Sequence, residues 1–140
     1  MPAHAQDRQQ IMALIEQYRR GFATMDVELL KAIWDQDYDQ IIYVAQELAQ
    51  PVRGWPAVEH YYHRVARLLE RVKTMAVSDV SVDVLSDLAF AFLSFHCEGQ
   101  VKGQPHVADG QATFLLHRKG GTWQVLHYHE SRPGEYSSSE

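Results

Sequence analysis

Apolar residues Ile11, Leu14, Ile15, Tyr18, Phe22 and Met25 recur at helical spacing and predict a long first helix with one apolar face. Asp26 is a good N-cap for a second, shorter helix whose buried side is Leu29, Leu30, Ile33 and Trp34. The polar run from Asp35 to Asp39 ends it, Ile41 to Ala45 reads as a strand, and an irregular loop follows through Pro51 and Gly54. Pro56 sits at a favoured first-turn position and opens a third helix with the stripe Val58, Tyr61, Tyr62, Val65, Leu68, Leu69 and Val72. The period then changes to two. Val80, Val82 and Val84 alternate with Ser81 and Asp83, and Leu88 to Val101 is a long strand apolar on both sides, which must be covered on both faces. Turns at Lys102–Pro105 and Gly120–Gly121 separate two further strands, Val107 to Arg118 and Thr122 to Ser131. Helices first and an antiparallel meander last indicate an α+β fold in which a curved sheet wraps the helices.

The last strand carries the most chemistry. A strict two-residue period puts Trp123, Val125, His127, His129 and Ser131 on one side, with Gln124, Leu126, Tyr128 and Glu130 on the other. The first set runs from apolar to polar, as expected of a sheet that is core at one end and opens into a cavity at the other. A single histidine in such a strand is most simply a hydrogen-bonded structural residue. Two in register on one face point to a site.

The 140 residues fit one domain over 1–134, followed by a flexible tail at 135–140, and hydrophobic residues make up 46% of the chain. A net charge of −5 argues against nucleic acid as a partner. The densest basic group, Arg64, Arg67, Arg71 and Lys73, reads as the solvated face of a helix. Cys97 has no partner for an internal disulfide and reads as a small buried hydrophobe in a reducing compartment. The N-terminal residues have no signal-peptide core, and no apolar run reaches the ~20 residues of a membrane span. A cytoplasmic protein with no membrane partner is expected.

The chain resembles the SnoaL-like, or nuclear-transport-factor-2-like, superfamily of cone-shaped α+β barrels. The likeness rests on Tyr18 through Gly21-Phe22 to Asp26, on Trp34-Asp35, and on Arg53-Gly-Trp-Pro-Ala-Val58. It continues in Thr113-Phe-Leu-Leu-His-Arg-Lys-Gly-Gly-Thr-Trp123 running into His127-Tyr-His-Glu-Ser131. That closing motif is also similar to the association domain of calcium/calmodulin-dependent kinase II and its bacterial relatives. The resemblance implies a homodimer built through the convex sheet face and a pocket between the concave face and the helices. It does not imply one reaction, because fold constrains shape more than chemistry.

Tyr18 matches the tyrosine that polarises a carbonyl in members resembling ketosteroid isomerase. The acids of those enzymes would fall near Val44 or Ala45 and near Thr113, and no acid stands at either place. If acid–base chemistry occurs, His127 or His129 would be the base, with Tyr18 and Tyr43 as polar partners. A dehydratase or cyclase would combine Tyr18, Tyr43 and Tyr62 with a histidine. The association domains hold carboxylate ligands with a pocket arginine, where this chain has Phe114, which implies a drier cavity. Phe22, Trp34, Tyr62, Phe95, Phe114 and Ser131 are the expected ligand-binding residues around an apolar organic guest. His127-x-His129 with His96 or His106 lacks a second cluster at zinc-like spacing, so neither a metal nor another cofactor is expected. Ser131 has no Gly-x-Ser-x-Gly elbow and is not expected to be a nucleophile. Two functional readings stay open: proton-transfer catalysis (isomerisation, cyclisation or dehydration) on an apolar substrate, and a non-catalytic ligand-binding or oligomerisation module.

Overall fold

The computed structural model describes residues 4–138; the expected flexible tail thus lies partly outside the described residues. Helices α1 (Ala5–Thr24) and α2 (Val27–Lys31) precede strands β1 (Ile42–Val44) and β2 (Val52–Arg53). Helix α3 (Trp55–Leu68) then leads to the long strands β3 (Leu69–Leu85), β4 (Leu88–Val101), β5 (Gln104–Lys119) and β6 (Thr122–Ser131). The strands make one six-stranded sheet in the order β2-β1-β6-β5-β4-β3. β3 to β6 form the antiparallel meander, and β1 joins parallel to β6. This α+β architecture is the one expected.

Local signals explain most boundaries. Asp26 caps α2 by accepting hydrogen bonds from the amides of Glu28 and Leu29, at 3.1 and 3.3 Å. Pro56 stands in the first turn of α3. The two-residue turns Lys102–Gly103 and Gly120–Gly121 hold all four residues at positive φ, the geometry that a tight hairpin demands. The predicted third helix is too long, however. It ends at Leu68, and Leu69 and Val72 belong to β3. Pairing with β4 from Leu69↔Val101 to Leu85↔Leu88 outweighs the local helical pattern. β3 is an edge strand, and its two irregularities, between Glu70 and Thr74 and between Ser78 and Ser81, bend it and limit edge-to-edge pairing.

The concave face holds the core. Ile11, Leu14, Ile15 and Tyr18 of α1 pack under Ala89, Ala91, Leu93, Phe114 and Leu116 of the sheet. Gly21 lets α1 approach α2, since a Cβ there would stand 2.6 Å from the Leu30 side chain. Two buried carboxylates tie the helices to the β5–β6 hairpin. Asp7 accepts from Arg118 Nη1 at 2.5 Å and Trp123 Nε1 at 3.1 Å. Asp35 accepts from His117 Nε2 at 2.8 Å and Lys119 Nζ at 3.1 Å. Burial alone would raise the Asp35 carboxyl, but these donors outweigh it and hold it below its ordinary value. Among the described residues, no helix is long and apolar enough to cross a membrane.

β4 is apolar on both sides, as expected. Its inward set, Ala89 to Cys97, is buried, whereas Leu88 and Phe90 on the outward side are 48% and 40% exposed. Opposite Phe95, β5 carries Gly110, and the Phe95 ring fills the place of the missing side chain; a Cβ there would meet that ring at 2.5 Å. Gly110→Ala is therefore expected to cost about 1–3 kcal/mol of stability through overpacking, measured by urea unfolding. A variant indistinguishable from wild type would show that the ring has somewhere else to go.

Candidate functional site

The two faces of β6 are decided by one residue. Leu115 pairs with His127 and Leu116 with Val125, so Leu126 has no partner on β5 and forms a bulge. The alternation slips by one at that point. Trp123 and Val125 face the core before it, and Tyr128 and Glu130 face inward after it. The bulge falls where β6 changes neighbours on its other edge. Val125 exchanges backbone hydrogen bonds with Ile33 and Asp35, at 2.8 and 3.1 Å, and His127 to His129 then pair with β1. The face assignment made from a strict period of two is thereby corrected: His127 and His129 do not share the inner face with Trp123 and Val125. They lie on the convex side in rows with Ile42, Leu115 and Phe90, and with Val44, Thr113 and Phe92. Their rings stack at 5.8 Å, and burial, followed by the neighbouring His129, pushes the His127 pKa below its ordinary value. Ser131 follows the same alternation and is exposed opposite Gln111.

A cavity of about 410 Å³ opens between the concave face and helices α1 and α3, a size that suits a ring-sized organic molecule. Its walls are mostly apolar, formed by Phe22, Leu69, Met75, Phe95, Cys97 and Val101. Exposed residues Leu68, His106, Val107 and Arg132 surround its mouth. Tyr18, Tyr43, Gln46, Glu47, Tyr61, Asp109 and Glu130 supply the polar groups. Of the residues expected at a site, Tyr18, Tyr43, Phe22 and Phe95 thus line one cavity. Trp34, Tyr62 and Phe114 do not line it: they are core residues at 2%, 1% and 0% exposure, with Trp34 Nε1 donating to the Tyr62 hydroxyl at 2.9 Å. A stripe of aromatics at helical or strand spacing cannot say which members reach the hollow and which lie behind it.

Glu130 is the residue that the sequence reading missed. Its carboxylate accepts from the Tyr128 hydroxyl at 2.6 Å and from the Gln46 amide at 3.1 Å. The Tyr18 hydroxyl lies 2.7 Å from that of Tyr128, so a chain of donors can run from Tyr18 through Tyr128 to Glu130. Burial pushes the Glu130 pKa up to about 7, with Glu47 adding to the rise, while the bonds from Tyr128 and Gln46 pull the other way. Burial also raises the phenols of Tyr18, Tyr43 and Tyr128 well above the usual range, so they stay neutral donors. Tyr43 is 1% exposed, and its hydroxyl makes no hydrogen bond to another described residue. Its ring lies between those of Tyr128 and Tyr61, at 4.6 and 4.9 Å. Tyr61 donates to Glu47 at 2.5 Å. One signal for the slip was present in the sequence: apolar residues at 123, 125, 126 and 128 contain the adjacent pair Val125-Leu126, which strict alternation cannot bury on one face.

The arrangement can remove or return a proton near neutral pH in a dry, aromatic setting, with a phenol available for a developing oxyanion. Cys97 lines the wall as a thiol, its pKa raised by burial. Among the described residues, no group of three or more His, Cys, Asp or Glu side chains could hold a metal ion.

Comparison with known proteins agrees with this architecture. A protein of the nuclear transport factor 2-like superfamily from Salmonella enterica serovar Typhimurium superposes with a TM-score of 0.85 at 18% identity, covering 99% of each chain. A candidate dehydratase of the same family from Streptomyces avermitilis gives 0.80 at 17% identity over 92% of this chain and 98% of its own. A candidate calcium/calmodulin-dependent protein kinase type II association domain from Thiobacillus denitrificans gives 0.73 at 18% identity over 88% and 94%. No curated protein sequence matches the chain. At these identities the structures establish the fold alone. The family model described as a SnoaL-like domain matches residues 11–135, from the first buried turn of α1 to beyond Glu130, and the chain belongs to that family.

Proposed function

We propose that this SnoaL-like protein binds an apolar organic molecule in its cavity and catalyses proton transfer on it, with Glu130 as the base. The observation that carries the reading is a half-buried carboxylate fixed by Tyr128 and Gln46 in the wall of a ring-sized cavity, where burial pushes its pKa up to about 7. Glu130 takes a proton from substrate carbon or oxygen. Tyr43 donates to the oxyanion that forms, and the protonated Glu130 returns the proton at a second position or to a departing hydroxyl. The first outcome is isomerisation or cyclisation, the second dehydration. The Tyr18–Tyr128 pair keeps the carboxylate oriented and shares its proton load. The convex location of His127 and His129 removes them from this role.

The same two histidines belong to a second part of the reading, a homodimer through the convex face. Leu88, Phe90 and Leu115 are 48%, 40% and 39% exposed on neighbouring strands, an apolar patch of the kind that a second copy covers. Phe90→Arg is expected to shift sedimentation from dimer to monomer while leaving the cavity intact. A wild-type chain that sediments as a monomer at micromolar concentration would remove this part.

A substrate-independent probe tests the base. Nitrobenzisoxazole opens when a carboxylate removes its ring C–H proton as the N–O bond breaks, leaving a coloured phenolate. Wild type is expected to accelerate this, with kcat/KM rising through pH ~7, and Glu130→Gln is expected to lose about 100-fold or more. His127→Ala and His129→Ala should stay within about twofold of wild type. Turnover that survives Glu130→Gln, or a pH profile without that inflection, would overturn the assignment. Tight probe binding without turnover would leave a binding module.

Stability should report the same group. Because the folded-state pKa lies above the ordinary 4.5, the native state holds the extra proton between pH 4.5 and 7. Stability from this group is therefore complete at low pH and lost as pH rises, by about 3 kcal/mol in all. Glu130→Gln is expected to be increasingly more stable than wild type from pH 5 to 8 in urea unfolding, and a constant difference would show that the carboxylate is not desolvated.

A further inference from the structure

The polar inventory of the cavity is unbalanced. Glu130, Glu47 and the side-chain oxygen of Gln46 are all acceptors, and Gln46 Oε1 is buried without a hydrogen-bond partner. Among the described residues, the only hydroxyl in the wall not already committed to a neighbour is that of Tyr43, itself nearly fully buried. Among the described residues neither the half-buried Glu130 nor the exposed Glu47 forms a salt bridge; Arg132, exposed at the mouth, pairs with no acid, and Asp109, also in the lining, pairs with His96. The two fully buried acids are treated differently. Asp7 and Asp35 each have a basic partner within hydrogen-bond distance. Around the same space stand the rings of Tyr18, Phe22, Tyr43, Tyr61 and Phe95, whose electron-rich faces attract a positive charge.

We infer that the ligand is an organic amine, its protonated nitrogen donating among Glu130, Glu47 and Gln46 Oε1 and its apolar, ring-sized body lying along Leu69, Met75, Phe95 and Val101. The inference rests on the cavity being a ligand site, as proposed above, but not on catalysis by Glu130. An ammonium supplies a donor for the unpaired Gln46 Oε1 and a positive charge beside Glu130 and Glu47, which form no salt bridge among the described residues. A carboxylate ligand would instead enter a cavity lined by Glu47, Asp109 and Glu130. The amine would also ionise Glu130 fully, which readies it as a base below its own midpoint.

Three naphthalene derivatives of nearly equal shape test this on the full chain: 2-naphthylmethylamine, 2-naphthylmethanol and 2-naphthoate. At pH 7 the amine is expected to bind at least tenfold more tightly than the alcohol, and the naphthoate most weakly. Calorimetry in buffers of different ionisation heat should show release of roughly half a proton per amine bound, because Glu130 is about half protonated at that pH. Glu130→Gln should abolish the release, and Glu47→Gln should reduce the amine's advantage without touching the fold. Alcohol binding as tight as amine, tightest binding by the naphthoate, or amine binding with no proton release would each overturn the inference. Amine preference without turnover of nitrobenzisoxazole would sink the base and leave the ligand class; turnover without amine preference would do the reverse.

Discussion

A half-buried carboxylate with no salt-bridge partner among the described residues is the constraint around which the cavity end of the interior is arranged. Glu130 keeps two hydrogen-bond donors, the Tyr128 hydroxyl and the Gln46 amide, and little else. Two neutral donors are not enough to offset the loss of hydration, so its proton affinity rises. The surrounding phenols respond to the same dryness in the opposite functional sense: they are harder to ionise and therefore remain donors. A carboxyl group that holds its proton more tightly and phenols that stay neutral are thus produced by one cause, exclusion of water by aromatic rings.

The contrast with the closed end of the sheet is instructive. Asp7 and Asp35 are also buried, yet both accept from basic side chains, and both are held below the ordinary carboxylate range despite the opposing effect of burial. These acids fasten helices to the β5–β6 hairpin. His96 behaves similarly on the outer face, clamped between Glu98 and Asp109 at 2.6 Å on each ring nitrogen, and those bonds raise its pKa. Charge paired with basic side chains ties elements together here, and the carboxylate without a basic partner lines the cavity.

Much of the fold was legible because its signals are local. The Asp26 cap, Pro56 and the two glycine-bearing turns each act within a few residues, and β4 announced itself by a long apolar run. The boundary between α3 and β3 was not legible, since Leu69 and Val72 fit the helical stripe and are claimed by β4, a partner far along the chain. The site divided in the same way. Tyr18, Tyr43, Phe22 and Phe95 could be nominated by residue type and spacing. Trp34, Tyr62 and Phe114 have the same credentials and sit behind the wall. The histidines were placed on the wrong face because a period of two was carried across Val125-Leu126, and the reason for the break lies in the change of edge partner from Ile33–Asp35 to β1.

That unpaired leucine has an implication for how such cones diversify. Everything beyond it on the strand is offset by one position, so inserting or removing a single residue there exchanges the entire set of groups shown to the cavity with the set shown to the outside. In this chain the exchange would trade an acid and a phenol for two imidazoles while the shell kept its outline. A lineage can therefore rewrite its interior chemistry in one step of length rather than through many steps of substitution.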